Sequence, residues 1–220
     1  MQNRLRMRKS ILSKFIILTL FIFLLAGCSD SAPKITQTFW QINLMHDNQT
    51  GLDTQMLTMF VMAGDDDGID DIDTMYVIND DQQLFWKLSG KNLRMERFGQ
   101  GETWIGSNFI TMTGGDPIPS GKYRVVLLDS SGERAKSQVT VVNNIKEIPY
   151  EWPTAKKQGD NLIVTGLAEY VWGLSYDGVF GGEFDVDDNG YVNTDNKKFS
   201  FYYLYHYMPG LGYGLINGPF

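Results

Sequence analysis

The chain has 220 residues, 19 Lys and Arg against 26 Asp and Glu, a formal charge of −7 at neutral pH, 13% aromatic residues and one cysteine. A lone cysteine excludes an internal disulfide, so a fold outside the cytoplasm has to be stabilised by its core alone. The acidic balance repels phosphate backbones, which argues against nucleic acid as a partner, and it provides no electrostatic adhesion to anionic lipid.

The chain opens on a basic head, Arg4, Arg6, Arg8, Lys9 and Lys14, with no acidic residue before Asp30. An apolar run from Phe15 to Leu25, broken only by Thr19, leads to Leu25-Ala26-Gly27-Cys28. A basic head, a short apolar core and small residues at a cut site make a secretory signal. The run is shorter than the roughly 20 residues of a membrane-spanning helix. The leader holds five of the basic residues and none of the acidic ones, so residues 28–220 carry a formal charge of −12.

Leu25-Ala26-Gly27-Cys28 resembles the lipobox of bacterial lipoproteins. The resemblance implies that residues 1–27 are a signal peptide that is removed. It implies that Cys28 takes a diacylglycerol on sulfur, often with a further acyl chain, such as palmitate, on the new amine. The membrane is then a partner through lipid on Cys28, each buried methylene contributing roughly 0.8 kcal/mol. Ser29 after the cysteine resembles outer-membrane sorting in enteric bacteria. That favours the outer membrane, on its periplasmic or surface face, over the inner membrane.

Residues 28–34 read as a polar tether. Trp40, Ile42 and Leu44 then alternate on one face of a strand, and Met56 to Ala63 is a nearly continuous apolar run, as in a strand buried on both faces. After the acidic loop Asp65–Asp71, further strands are expected at Thr74–Ile78 and Gln83–Leu88, separated by Asn79-Asp80-Asp81. Residues Leu93–Thr113 are less regular, with Trp104, Ile105, Phe109 and Ile110 as core. Tyr123–Leu128 and Ala135–Val142 form a hairpin around Asp129-Ser130-Ser131-Gly132.

About seven short strands over roughly 110 residues is the pattern of a β-sandwich. Residues 35–143 resemble bacterial immunoglobulin-like domains. The resemblance sits in Asp65-Asp66-Asp67-Gly68-Ile69-Asp70-Asp71-Ile72 before a strand, and in Pro119-Ser120-Gly121-Lys122-Tyr123-Arg124-Val125 before the closing hairpin. The immunoglobulin disulfide is absent. Residues 144–161, with Pro149 and Pro153, read as a linker without strand alternation. Residues 162–220 form a small aromatic-rich β-module, with strands at Leu162–Val164, Tyr170–Leu174, Gly178–Phe184 and Phe199–Met208. The glycine-rich tail Pro209–Phe220 is expected to be irregular. The fold class is therefore all-β: an immunoglobulin-like β-sandwich followed by a small β-module.

Two acidic loops invite a cation. The crowded carboxylates Asp65, Asp66, Asp67, Asp70, Asp71 and Asp73 repel unless calcium or solvent offsets them, but their spacing does not fit an EF-hand. The simpler reading is a solvated turn loop. Asp185-Val186-Asp187-Asp188-Asn189-Gly190-Tyr191-Val192 matches the first eight positions of a calcium loop. Its oxygens would come from Asp185, Asp187, Asn189 and the Tyr191 carbonyl. Asn196 stands where a bidentate Glu belongs, and Asn189-Gly190 is equally a tight hairpin turn. Calcium is the one cofactor these loops admit.

Phe199, Phe201, Tyr203, Tyr205 and Tyr207 fall at period two. Tyr203, Tyr205 and Tyr207 form either a stacking face for a sugar or peptide, or one face of a small core; the core is the simpler expectation. His46 and His206 are far apart, and no zinc-ligand spacing, nucleophile elbow or phosphate-cradling glycine loop is present. An enzyme is not expected. The functional expectation is a membrane-anchored envelope lipoprotein with a non-catalytic binding or scaffold role, its partner an envelope protein or a glycan. One alternative is carbohydrate binding through the aromatic face, with calcium assisting. A second is a hydrolase with an acidic site, which a cleft pairing either histidine with a carboxylate would favour.

Overall fold

The computed structural model describes residues 31–66, 68–145, 151–158, 161–176, 180–194 and 197–220. The leader and Cys28 lie outside the described residues. In chain order the strands are β1 (Lys34–Asp47), β2 (Leu52–Gly64), β3 (Ile72–Asn79), β4 (Leu84–Ser89), β5 (Arg94–Arg97), β6 (Thr103–Ile110), β7 (Gly121–Asp129) and β8 (Arg134–Val141). They continue as β9 (Thr154–Gln158), β10 (Asn161–Thr165), β11 (Tyr170–Leu174), β12 (Phe180–Asp185), β13 (Tyr191–Val192), β14 (Phe201–Met208) and β15 (Tyr213–Gly218). Among the described residues there is no α-helix, and none is long and apolar enough to cross a membrane. The chain is all-β.

The strands form an eight-stranded sheet, β12-β11-β14-β15-β1-β2-β6-β5, a four-stranded sheet, β4-β3-β7-β8, and a three-stranded sheet, β13-β10-β9. Period-two alternation decides what faces what. Ile42 on β1, Leu57, Met59 and Val61 on β2, and Ile105 on β6 meet Met75, Val77, Val125 and Leu127 from the four-stranded sheet. That is a β-sandwich: two sheets closing over an aliphatic layer. The expected hairpin forms, with β7 paired to β8 from Gly121↔Val141 to Leu128↔Arg134. A second, smaller core joins Leu162, Val164 and Val192 of the three-stranded sheet to Val171, Phe184, Tyr202 and Leu204.

Two stretches expected to be irregular are strands. Residues 154–158, inside the expected linker, form β9, paired antiparallel to β10. Its sequence Thr-Ala-Lys-Lys-Gln hides the strand because it is an edge. Only Ala155 is drawn into the core; Lys157, on the same face, keeps its ammonium 4.9 Å from the centroid of the Tyr202 ring, and Thr154, Lys156 and Gln158 form the exposed, polar side suited to a sheet edge. The tail contains β15, which is buried along its whole length and runs parallel to β1. Its glycines are there for close approach. A Cβ on Gly214 would lie 2.3 Å from Asn43 Oδ1, and one on Gly218 would lie 2.6 Å from the Tyr203 ring.

Parallel pairing of β15 with β1, from Ile42↔Tyr213 to Asp47↔Gly218, carries the main sheet across the expected boundary between 35–143 and 162–220. The two stretches are divided in their cores and continuous in their main sheet.

Candidate functional site

On β14 the buried residues are Tyr202 and Leu204, the even positions. The odd positions, Phe201, Tyr203, Tyr205 and Tyr207, therefore point to the opposite face of the sheet, where each is half-buried. Of the aromatic stripe only Phe199, which precedes β14, packs on the expected core, against Phe184 and Tyr202; along β14 that core belongs to the in-between residues. The ring of Tyr203 lies against Gly218, and Tyr205 against Gly214.

That open face carries a groove of about 1190 Å³. Trp172 and Tyr205 line it as a stacked pair with centroids 4.8 Å apart, and Tyr170 also stacks on Tyr205, at 6.4 Å. Register explains the ladder: Tyr170 is the direct cross-strand partner of Tyr205, and Trp172 that of Tyr203. The polar atoms beside the rings are fixed. Gln41 Nε2 donates to Tyr205 Oη at 2.9 Å and to Asn43 Oδ1 at 2.7 Å, and Asn43 Nδ2 donates to Thr58 Oγ1 at 3.1 Å. Trp172 Nε1 donates to Glu183 Oε2 at 2.9 Å. Burial raises the pKa of the Tyr205 phenol; the Gln41 bond opposes the rise, and the charges of Glu169 and Glu183 add to it.

At the far wall β4 contributes Trp86, whose Nε1 donates to the Thr111 carbonyl at 2.8 Å. Three phenylalanines on the lining, Phe85, Phe109 and Phe180, are 70%, 67% and 52% exposed. Exposed rings around a concavity that also carries convergent polar atoms are the composition of a binding site. Of the three tyrosines singled out in the sequence, Tyr205 lines the groove and Tyr203 and Tyr207 do not. Trp172, Gln41, Asn43 and Glu183 were missed. The alternation of Tyr170, Trp172 and Leu174 on β11 was a signal for Trp172, but nothing local ties β1 to that strand.

Both histidines sit beside a carboxylate. His46 Nδ1 is 2.7 Å from Asp53 Oδ1 and its ring stacks on Trp152 at 5.0 Å; His206 Nδ1 is 3.6 Å from Glu169 Oε1. Neither histidine lines the groove.

The loop at Asp185, Asp187, Asn189 and Tyr191 is a turn locked by its own backbone. Asp187 Oδ1 accepts from the amides of Asn189 at 2.9 Å and Tyr191 at 2.7 Å, and the Tyr191 carbonyl accepts from Asp187 N at 3.0 Å. Gly190 has φ of +80°, and a Cβ there would lie 2.3 Å from the Val164 carbonyl oxygen, so glycine is required twice over. The turn does not lead back along β12 as a two-residue hairpin would. It hands the chain to β13, which pairs with β10 in the three-stranded sheet.

The other acidic loop closes differently. One carboxylate oxygen from each of Asp65, Asp71 and Asp129 lies within 4.8 Å of the others. Asp66 and Asp70 of that loop have cations of their own, Lys34 Nζ at 2.8 Å and the Arg97 guanidinium. Asp129, the last residue of β7, carries no signal in the sequence beyond that of a turn residue.

No protein-family model matches the chain, and no curated protein matches it. Among solved structures it is similar to Tp47, the 47-kilodalton lipoprotein of Treponema pallidum, with 14% identity and a TM-score of 0.35 over 87% of this chain and 51% of that one. The chain thus spans about half the length of Tp47, and at that degree of likeness nothing of Tp47 is carried over.

Proposed function

We propose that this chain is an envelope lipoprotein, held to a membrane by lipid on Cys28, which binds a glycan without transforming it. The observation that carries the binding role is the groove in which Trp172 and Tyr205 stack beside Gln41, Asn43 and Glu183. Sugars present C–H faces that pack on aromatic rings and hydroxyls that take amide and carboxylate partners, and this lining offers both. The anchor rests on the lipobox at Leu25–Cys28, with the outer membrane favoured by Ser29. A non-catalytic role is supported by the position of the two histidine–carboxylate pairs, which do not face the groove.

The test follows intrinsic tryptophan fluorescence while soluble cell-wall and capsular oligosaccharides are titrated into the protein. A saturable change is expected, with Trp172→Ala weakening binding at least tenfold at unchanged far-ultraviolet circular dichroism; a tenfold loss corresponds to about 1.4 kcal/mol. Absence of any response across the sugars, or undiminished binding by Trp172→Ala, removes the glycan reading. A response only to a protein partner, captured at a sheet edge such as β5 or β12, replaces it with a scaffold role. The anchor is checked separately: Cys28→Ser is expected to shift the protein from the membrane to the soluble fraction of its host.

A further inference from the structure

We infer that Asp65, Asp71 and Asp129 form a calcium site that ties the β2–β3 loop to the β7–β8 hairpin. Asp65 follows β2 directly, Asp71 ends a short 3-10 turn at Ile69–Asp71 just before β3, and Asp129 closes β7. The topology holds them together. Asp129 is the register partner of Ile72, and the Ser130 amide donates to the Asp71 carbonyl at 3.0 Å.

Asp129 is the residue that distinguishes this cluster from an ordinary acidic surface. It is 3% exposed. Its Oδ1 is fully used, accepting from Ser131 N at 2.9 Å, Ser131 Oγ at 2.7 Å and Glu133 N at 2.9 Å. Its Oδ2 is equally buried and has no hydrogen-bond partner. A buried carboxylate oxygen left unsatisfied is costly, and near two further carboxylates the cost rises. A buried anion with one idle oxygen beside two more carboxylates is what a hard cation neutralises.

The donor set selects the ion. All three ligands are carboxylate oxygens, with no nitrogen or sulfur to favour zinc or copper. Calcium–oxygen distances are about 2.3–2.6 Å, so two oxygens on one ion are at most roughly 5 Å apart, and the mutual spacing of up to 4.8 Å fits. Magnesium, at about 2.0–2.1 Å with a rigid octahedron, needs a tighter cluster. Calcium's remaining positions are filled by water or nearby carbonyls.

The experiment is a melting titration of the full-length protein, stripped with a chelator and then given calcium chloride alone. At a hundredfold excess over the dissociation constant the melting temperature is expected to rise by roughly 5–10 °C. Magnesium at the same concentration is expected to give a smaller rise. Asp129→Asn keeps the Oδ1 that caps Ser131 and Glu133 while removing the charge, so it should fold and lose the calcium response. If it does not fold, Asp71→Asn replaces it. Terbium luminescence on the wild-type protein, competed by calcium, reports binding without any variant. No melting shift at millimolar calcium and no terbium signal would overturn the site, as would a calcium shift that survives in both variants. Abolition of the shift by Asp187→Asn, with Asp129→Asn still responding, would assign the ion to the other acidic loop and equally overturn it.

Discussion

In the half of the eight-stranded sheet built from β1, β2, β6 and β5, the covered face is aliphatic: Ile42, Leu57, Met59, Val61 and Ile105 against Met75, Val77, Val125 and Leu127. In the half built from β12, β11, β14 and β15, the covered face is smaller and mixes Val171 and Leu204 with the rings of Phe184 and Tyr202. The open faces differ too, since the second half carries the ladder Tyr170–Tyr205–Trp172. Branched and linear aliphatic chains interdigitate to near-crystalline density and leave little room to relax. Rings with polar tips reach from a core to a rim and suit recognition. One hydrogen-bonded sheet thus has a half that closes over an aliphatic core and a half that carries an aromatic open face, joined by β15 on β1.

The strongest test of that contrast removes equivalent side chains from the two cores. Leu57 and Leu204 are both fully buried. Leu57→Ala leaves a cavity that its densely packed neighbours cannot fill, and is expected to cost about 4–5 kcal/mol. Leu204→Ala lies in the smaller cluster, where rings can tilt into the space, and is expected to cost about 2–3 kcal/mol. Urea unfolding with fluorescence and circular dichroism in parallel measures both. Because the sheet is continuous through β15, the two probes should give one coincident transition in each variant. Equal losses, or a biphasic curve in which Leu204→Ala moves only one phase, would mean that the halves are independent units of similar packing.

Much of the first half could be read from sequence because its signals are local. Trp40 and Ile42 pack on the core as their alternation says, although Leu44 does not join it and Asn43 on the other face is buried, and the apolar run ending at Ala63 is the strand buried on both faces. The Tyr123–Leu128 hairpin was legible from its turn residues. The second half was harder, since its key relations are non-local. Nothing within Pro209–Phe220 says that Gly214 and Gly218 exist to let β15 lie against Asn43 and Tyr203. The aromatic period on β14 was visible, but not which parity faces the core, because that depends on where β10 and β13 pack. The two acidic loops show the same limit. The one that matches a calcium motif has Asp187 Oδ1 and the Tyr191 carbonyl engaged by backbone amides, while the other gains a third clustered carboxylate, Asp129, from a distant strand.

A finer test uses alkaline pH. Burial raises the phenol pKa of Tyr203, Tyr205 and Tyr213 in the second half, with Asp47 adding to the rise at Tyr203, and of Tyr123 in the first. Tyr123 donates to the Pro119 carbonyl at 2.7 Å, whereas the Tyr213 hydroxyl is buried without a hydrogen-bond partner. Below the ordinary phenol pKa of about 10, these groups are protonated whether the chain is folded or not. Above it the unfolded chain ionises first, so the stability tied to each raised pKa is full below about pH 10 and is lost as pH climbs through the folded value. Most of these phenols belong to the aromatic half, so Tyr205→Phe with Tyr213→Phe should flatten the loss between pH 8 and 10.5 more than Tyr123→Phe does. At neutral pH, Tyr213→Phe alone should shift stability by no more than about 1 kcal/mol, since it removes an unsatisfied hydroxyl. Urea midpoints at the two pH values decide the matter. A larger flattening from Tyr123→Phe would place the alkaline weakness in the aliphatic sandwich and reverse the contrast between the two halves.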